Sequence, residues 1–127
     1  MTAYTAFNPT PLFADGDDFD TRKAIVLTGQ NVSGTPLPRG TVLGKVTATG
    51  KYKISVAGAS DGSQLPRAVT ADDLDTSGGD VTCRVYESGT FAFEVCNVDA
   101  SWTIDTLNAS MSDQSRDIYF RSVGTVA

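Results

Sequence analysis

The 127-residue chain contains no histidine. That removes the side chain most used for acid–base work near neutral pH and for holding transition metals. A Ser/His/Asp or Cys/His relay cannot be assembled within this chain. Two cysteines are present, too few to close a four-ligand zinc site unless chains pool ligands or carboxylates join in. No enzymatic activity, cofactor or metal is expected. Basic residues are scarce as well: ten Lys and Arg stand against fifteen Asp and Glu, a net charge of −5. The longest basic run is Arg22-Lys23. A nucleic-acid binder needs a clustered basic face to displace counterions from phosphates, so no nucleic-acid partner is expected. Long apolar runs are also missing. Stretches such as residues 24–27 fall far short of the about 20 residues that span a bilayer, so no membrane partner is expected. The start lacks the basic and continuously apolar regions of a secretory signal, which predicts a soluble product made and kept in a cytoplasm.

What is present divides into two segments. Residues 1–20, "MTAYTAFNPTPLFADGDDFD", carry two of the five prolines, no basic residue and four aspartates at positions 15, 17, 18 and 20. Tyr4, Phe7, Leu12 and Phe13 punctuate the stretch without helical or strand period. Such a segment is not expected to fold alone. It reads either as a frayed terminus or as an arm that orders against a partner, for instance by adding a strand to it. Residues 21–127 read as one β-rich domain, long enough to bury about two-thirds of its unfolded surface.

The β pattern is carried by short β-branched runs between Gly/Asn/Pro/Ser clusters. The runs are "RKAIVLT" (22–28), "TVLGKVTA" (41–48), "KYKISV" (51–56), "PRAVT" (66–70), "VTCRVY" (81–86), "TFAFEVC" (90–96) and "RDIYFRSVGTV" (116–126). Residues 71–80, "ADDLDTSGGD", read as a loop. A two-residue turn at Ser88-Gly89 would join 81–86 and 90–96 as a hairpin, setting Tyr86 against Phe91, Arg84 against Phe93 and Thr82 against Val95. Cys83 would then oppose Glu94 and lie diagonal to Cys96. Diagonal neighbours are about 7–8 Å apart, too far for an unstrained disulfide, so two reduced, partly buried thiols are predicted. "SWTIDTLNASM" (101–111) is the one helix: Ser101 is placed to cap it, and Ile104, Leu107 and Met111 form its apolar row.

Several stretches look chemical. "PRGTVLGKVT" (38–47) suggests a phosphate loop, but that motif needs four residues between its glycines and a Ser or Thr directly after the lysine. Only three residues separate Gly40 from Gly44, and Val46 follows Lys45. Turn chemistry accounts for the glycines better: Pro38-Arg39-Gly40 turns the chain into a strand, Gly44 marks a bulge or close approach, and Thr49-Gly50-Lys51 reverses the chain. "DGDDFD" (15–20) is acidic like a calcium loop, but an EF-hand begun at Asp15 would place Phe19 at a ligand position and Val26 where the bidentate glutamate belongs. It reads as solvated acidic spacer, as do Asp72, Asp73 and Asp75. Trp102 reads as a packing residue at the helix start.

Three blocks carry a resemblance. "LPRGTVLGKVTATGKYKI" (37–54), "LPRAVTADDLDTSGGDVTCRVYESGTFAFEV" (65–95) and "RDIYFRSVGTV" (116–126), in that order, resemble the head decoration proteins of tailed bacteriophages, the family of the lambda decoration protein D. "AVTADDLDTSGG", followed by a strand and "Y-x-S-G-T-F", is the most specific part. The resemblance implies a compact, mainly β fold of the β-clip kind with one short helix and an extended N-terminal arm. It implies a homotrimer that binds the major capsid protein on the outside of the expanded head at local three-fold positions, and so a virion location. By position, the arm that orders on the shell corresponds to residues 1–14, with Tyr4, Thr5, Phe7, Pro9, Leu12 and Phe13 as its capsid-binding residues. Two other classes predict different behaviour. A fibre or carbohydrate-binding module of a virion would show glycan affinity, and a small nucleotide-binding enzyme would show nucleotide-dependent melting.

Overall fold

The computed structural model describes residues 21–31 and 34–123. The described residues are mainly β with one short helix, as the sequence predicts. Its strands are β1 (Thr21–Val26), β2 (Val42–Lys45), β3 (Tyr52–Ile54), β4 (Pro66–Thr70), β5 (Val81–Tyr86), β6 (Gly89–Ala92) and β7 (Ile118–Arg121), with helix α1 at Ile104–Asp113. The first five strands close into a barrel in the order β1-β3-β2-β4-β5, while β6 and β7 form a separate two-stranded sheet.

β4 and β5 match their predicted spans, but β1, β2, β3 and β7 are shorter than the runs that announced them. Side chains take over the backbone where the ladder ends. Beyond β1, the Thr28 amide donates to Asp80 Oδ1 at 2.9 Å and its hydroxyl donates to the Thr76 carbonyl at 2.8 Å. β2 is irregular because its register against β4 shifts between Leu43 and Gly44. A Cβ on Gly44 would overlap the Ser63 carbonyl. The glycine therefore serves both as a bulge and as a close approach, the two alternatives its position suggested. The turn at Thr49-Gly50-Lys51 returns the chain as β3, antiparallel to β2.

Strand alternation builds two hydrophobic cores rather than one. Leu43, Ala68 and Val85 face the barrel interior with Ala24, Val26, Leu37, Tyr52 and Leu74. Their neighbours Val42, Val69 and Tyr86 belong to the other core, with Ala71, Phe91, Leu107, Met111, Ile118 and Phe120. Successive side chains of a strand point to opposite faces, so β2, β4 and β5 are covered on both sides.

The outer layer departs from the sequence reading. β5 and β6 do not form a hairpin. β5 is already flanked by β1 and β4, and β6 pairs in parallel with β7, Phe91 beside Phe120. Ser88-Gly89 redirects the chain instead, with the Gly89 amide donating to the Asp117 carbonyl at 2.9 Å. Burying Phe91 and Phe120 completely outweighs what a local turn offers. The Tyr86–Phe91 contact survives at 5.8 Å between ring centroids, across the layer rather than across a hairpin. β6 also ends early, and Phe93–Val95 form a 3₁₀ turn. Both cysteines are unpaired and half-buried, as predicted, but Cys83 stands opposite Ala24 rather than Glu94.

The helix begins later than predicted. Thr103, not Ser101, is its cap, and a capping box joins Thr103 and Thr106: the Thr106 amide donates to Thr103 Oγ1 at 3.2 Å and the Thr103 amide to Thr106 Oγ1 at 2.9 Å. Ser101 Oγ instead accepts the Ala57 amide at 2.9 Å. Trp102 precedes the helix, packs against the outer core and donates its indole N–H to the Ser55 carbonyl at 3.1 Å. Asn108 takes the place of a neighbouring strand for β7. It accepts the Phe120 amide and donates to the Phe120 carbonyl, both at 2.7 Å, which covers an otherwise open edge.

Candidate functional site

The stretch that suggested a phosphate loop is built as a turn. Thr70 Oγ1 accepts the amides of both Gly40 and Thr41 at 3.0 Å and donates to the Pro38 carbonyl at 3.1 Å. Thr41 Oγ1 donates to the same carbonyl at 2.7 Å and accepts from the Asn97 side chain at 3.1 Å. The amides that would have to cradle a phosphate are thus spent on a buried hydroxyl. Lys45 leaves this turn at the end of β2, half-buried rather than fully exposed.

The acidic loop between β4 and β5 is exposed but is more than solvated spacer. Asp73 Oδ1 accepts the Arg39 amide at 2.7 Å, and Asp72 lies 3.6 Å from Arg84. Asp75 Oδ1 accepts from Ser77 Oγ at 2.7 Å and from Asn31 Nδ2 at 2.9 Å. The Ser77 hydroxyl, then Asn31, holds the Asp75 carboxyl below its usual range. These bonds clamp the loop while Leu74 inserts between them and exchanges backbone hydrogen bonds with Leu37. Aspartates on both sides of one leucine were the available signal, and their meaning depended on Arg39, Asn31 and Arg84 arriving from elsewhere in the chain.

Neither thiol is a poised nucleophile. Burial, then Asp72, raises the Cys83 pKa, and burial, then Glu94, pushes Cys96 up to about 12. Among the described residues no group of three His, Cys, Asp or Glu is placed to hold a metal ion, and no helix is long and apolar enough to cross a membrane.

The predicted capsid-binding residues Tyr4, Thr5, Phe7, Pro9, Leu12 and Phe13, and the acidic run at 15–20, lie outside the described residues. The described residues begin at the strand that follows them in the chain. β1 starts at Thr21 and is paired to β5 over its whole length, from Thr21 opposite Tyr86 to Val26 opposite Val81. On its other side it meets β3 only at Val26–Tyr52. Ile25, Leu65, Tyr119 and Val123 are large apolar side chains left exposed. Reading the sequence did not single them out, because strand alternation places a side chain on a face without saying whether another element covers that face.

The described residues thus form a small barrel with a covering β6–β7–α1 layer. No curated protein matches the chain. The family profile described as bacteriophage lambda head decoration protein D matches residues 4–118, from within the N-terminal segment to the first residue of β7. With nearly the whole chain matched, the protein belongs to the lambda head decoration protein D family, the structural proteins that decorate the outside of bacteriophage heads.

Proposed function

We propose that the protein acts as a homotrimer on the expanded head, at local three-fold positions where copies of the major capsid protein meet, and holds the shell against the outward pressure of packaged DNA. The observation that carries this reading is the family match, which starts at residue 4 and so takes in the N-terminal segment as well as the barrel. Residues 1–20 serve as capsid-binding arm and acidic spacer, and residues 21–127 as the decoration domain. Tyr4, Thr5, Phe7, Pro9, Leu12 and Phe13 make the arm's contacts with the shell. β1 supports this division of labour: load on the arm is passed to a strand paired to β5 at all six positions, where many hydrogen bonds share it in shear.

A trimer presents three arms, so each attachment after the first is intramolecular and modest contacts add up to strong avidity. Binding the expanded lattice in preference to other states stabilises it by mass action. The net charge of −5 suits an exterior position away from DNA. The protein performs no catalysis and is made in the host bacterial cytoplasm before assembly. Co-sedimentation with expanded, undecorated capsids tests the reading, and a protein that stays in the supernatant refutes it. Deleting residues 1–14 should abolish co-sedimentation while leaving the circular dichroism and melting of the domain unchanged. Sedimentation equilibrium should return a trimer mass.

A further inference from the structure

Five of the ten basic residues line two adjoining clefts. Lys45, Arg67 and Arg116 line one of about 290 Å³, with Thr47 and Gln114. Arg22, Lys23 and Lys45 line another of about 530 Å³ alongside β1. Lys45 belongs to both, and among the described residues no carboxylate lines either, although acidic residues outnumber basic ones in the chain.

Among the described residues, only Arg22 of these five has a carboxylate partner, its Nε lying 2.9 Å from Glu87 Oε1. Arg116 Nε donates to a neutral amide, Gln114 Oε1, at 3.4 Å. Arg67 Nε is buried and has no hydrogen-bond partner among the described residues. A buried charged donor left unpaired is costly, and gathered like charges repel until an anion joins them. The Tyr52 hydroxyl ties the clefts to the start of β1. It donates to Glu87 Oε2 at 3.4 Å, the carboxylate that also pairs with Arg22. The first cleft's wall is tightly built: at Gly62, φ is +104° and a Cβ would overlap the Thr47 hydroxyl.

We propose that this basic cleft is a carboxylate site whose occupant is the acidic segment 15–20 of the same chain. The chain enters β1 at Thr21, which pairs with Tyr86, one residue from Glu87 at the Arg22 rim. Six extended residues reach about 20 Å, and Arg22 and Lys23, directly after Thr21, line the second cleft. The segment brings four carboxylates to the four cations that lack one among the described residues: Lys23, Lys45, Arg67 and Arg116. The arginine forks suit bidentate carboxylate pairing, and tethering at Thr21 supplies a high effective concentration. Docking there would set the direction in which residues 1–14 leave the domain. The inference concerns the isolated chain and does not rest on the capsid role.

Zero-length carbodiimide coupling of the full-length protein, read by peptide mass spectrometry, tests it. The Lys51–Asp80 pair, at 2.8 Å, is an internal control. Links from Asp15, Asp17, Asp18 or Asp20 to Lys45 are expected at low salt, reduced several-fold in about 1 M sodium chloride, where screening acts within about 3 Å. Arg67→Gln/Arg116→Gln should lower their yield similarly. Formation of the control link without any link to Lys45 overturns the proposal. So does a link found only between differently labelled chains in a mixture of light and heavy-nitrogen protein, which would make the occupant a second copy. A variant with all four aspartates changed to asparagine leaves the domain's own residues intact. Inorganic phosphate should raise its melting temperature more than that of the unaltered protein; equal rises would mean that the segment never occupied the cleft.

Discussion

The barrel interior and the layer outside it share three strands but not their chemistry. Inside, Ala24, Ala68, Val26, Val85 and three leucines fill the space, with Tyr52 the one aromatic among the described residues. Outside, Tyr86, Phe91 and Phe120 form a chain of rings, with centroids 5.8 and 5.9 Å apart, and Phe93 meets Phe120 edge-on. Five strands enclose a narrow lumen that small aliphatic side chains fill. The gap between a barrel wall, a two-stranded sheet and a helix is wider and takes aromatics. The two regions also differ in how their strands are held. Barrel strands have strand neighbours on both sides, whereas β7 has β6 on one edge and the Asn108 side chain on the other. The layer therefore depends on side-chain packing where the barrel depends on backbone pairing.

The largest test of that contrast removes a ring. Phe120→Ala should cost about 3–5 kcal/mol, measured by denaturant unfolding. Hydrogen exchange should rise in α1 and β7 first while β1 and β5 stay protected; equal loss of protection everywhere would make the two cores one cooperative unit. Leu43→Ala, the barrel counterpart, should cost about 2–5 kcal/mol and loosen β1 and β5 in the same experiment. Gly44→Ala probes the barrel wall without touching either core. Overlap with the Ser63 carbonyl should cost about 1–3 kcal/mol, and an unchanged melting temperature would mean that the bulge relaxes freely. Thr103→Ala removes half of the capping box and should cost about 1 kcal/mol, restored in part by Thr103→Ser.

The smallest effects concern pH, and their signs differ between the regions. Asp61, Asp75 and Asp80 lie in barrel loops and are held below the usual range, chiefly by hydrogen bonds from Ser63, Ser77 and Lys51 respectively. Their contribution is present above the unfolded carboxyl pKa of about 4 and is lost as pH falls through the lower folded values. Cys96 packs against the outer core with its pKa raised to about 12. Its contribution is complete below the unfolded thiol value and is lost as pH rises toward about 12. Melting temperature should therefore fall at both extremes, and Asp75→Asn should flatten only the acid limb. Maleimide should label Cys83 faster than Cys96.

Much of the barrel was legible because its signals are local. β4 and β5 have their predicted bounds, and Gly44 and Gly50 sit at the bulge and the turn their context suggested. The outer layer was not legible in the same way. "VTCRVY-ES-GTFAFEV" satisfies every local rule for a hairpin, yet β6 pairs with a strand that begins 26 residues after it ends. Ser101 was a suitable cap, but the Ala57 amide claimed its hydroxyl. The basic cleft draws on residues 22, 23, 45, 67 and 116, a spacing without period, so no pattern along the chain could reveal it.

By itself, the sequence determined that this protein is mainly β, that it offers no histidine-based chemistry, and that its blocks belong to the head decoration family. Alternation, turn residues and composition act over a few neighbouring positions and need no partner to be read. Tertiary structure alone decided which strands pair, that two cores form instead of one, and where half of the positive charge gathers. Those outcomes depend on which distant surfaces bury most apolar area together, a choice that a strand's own residues leave open.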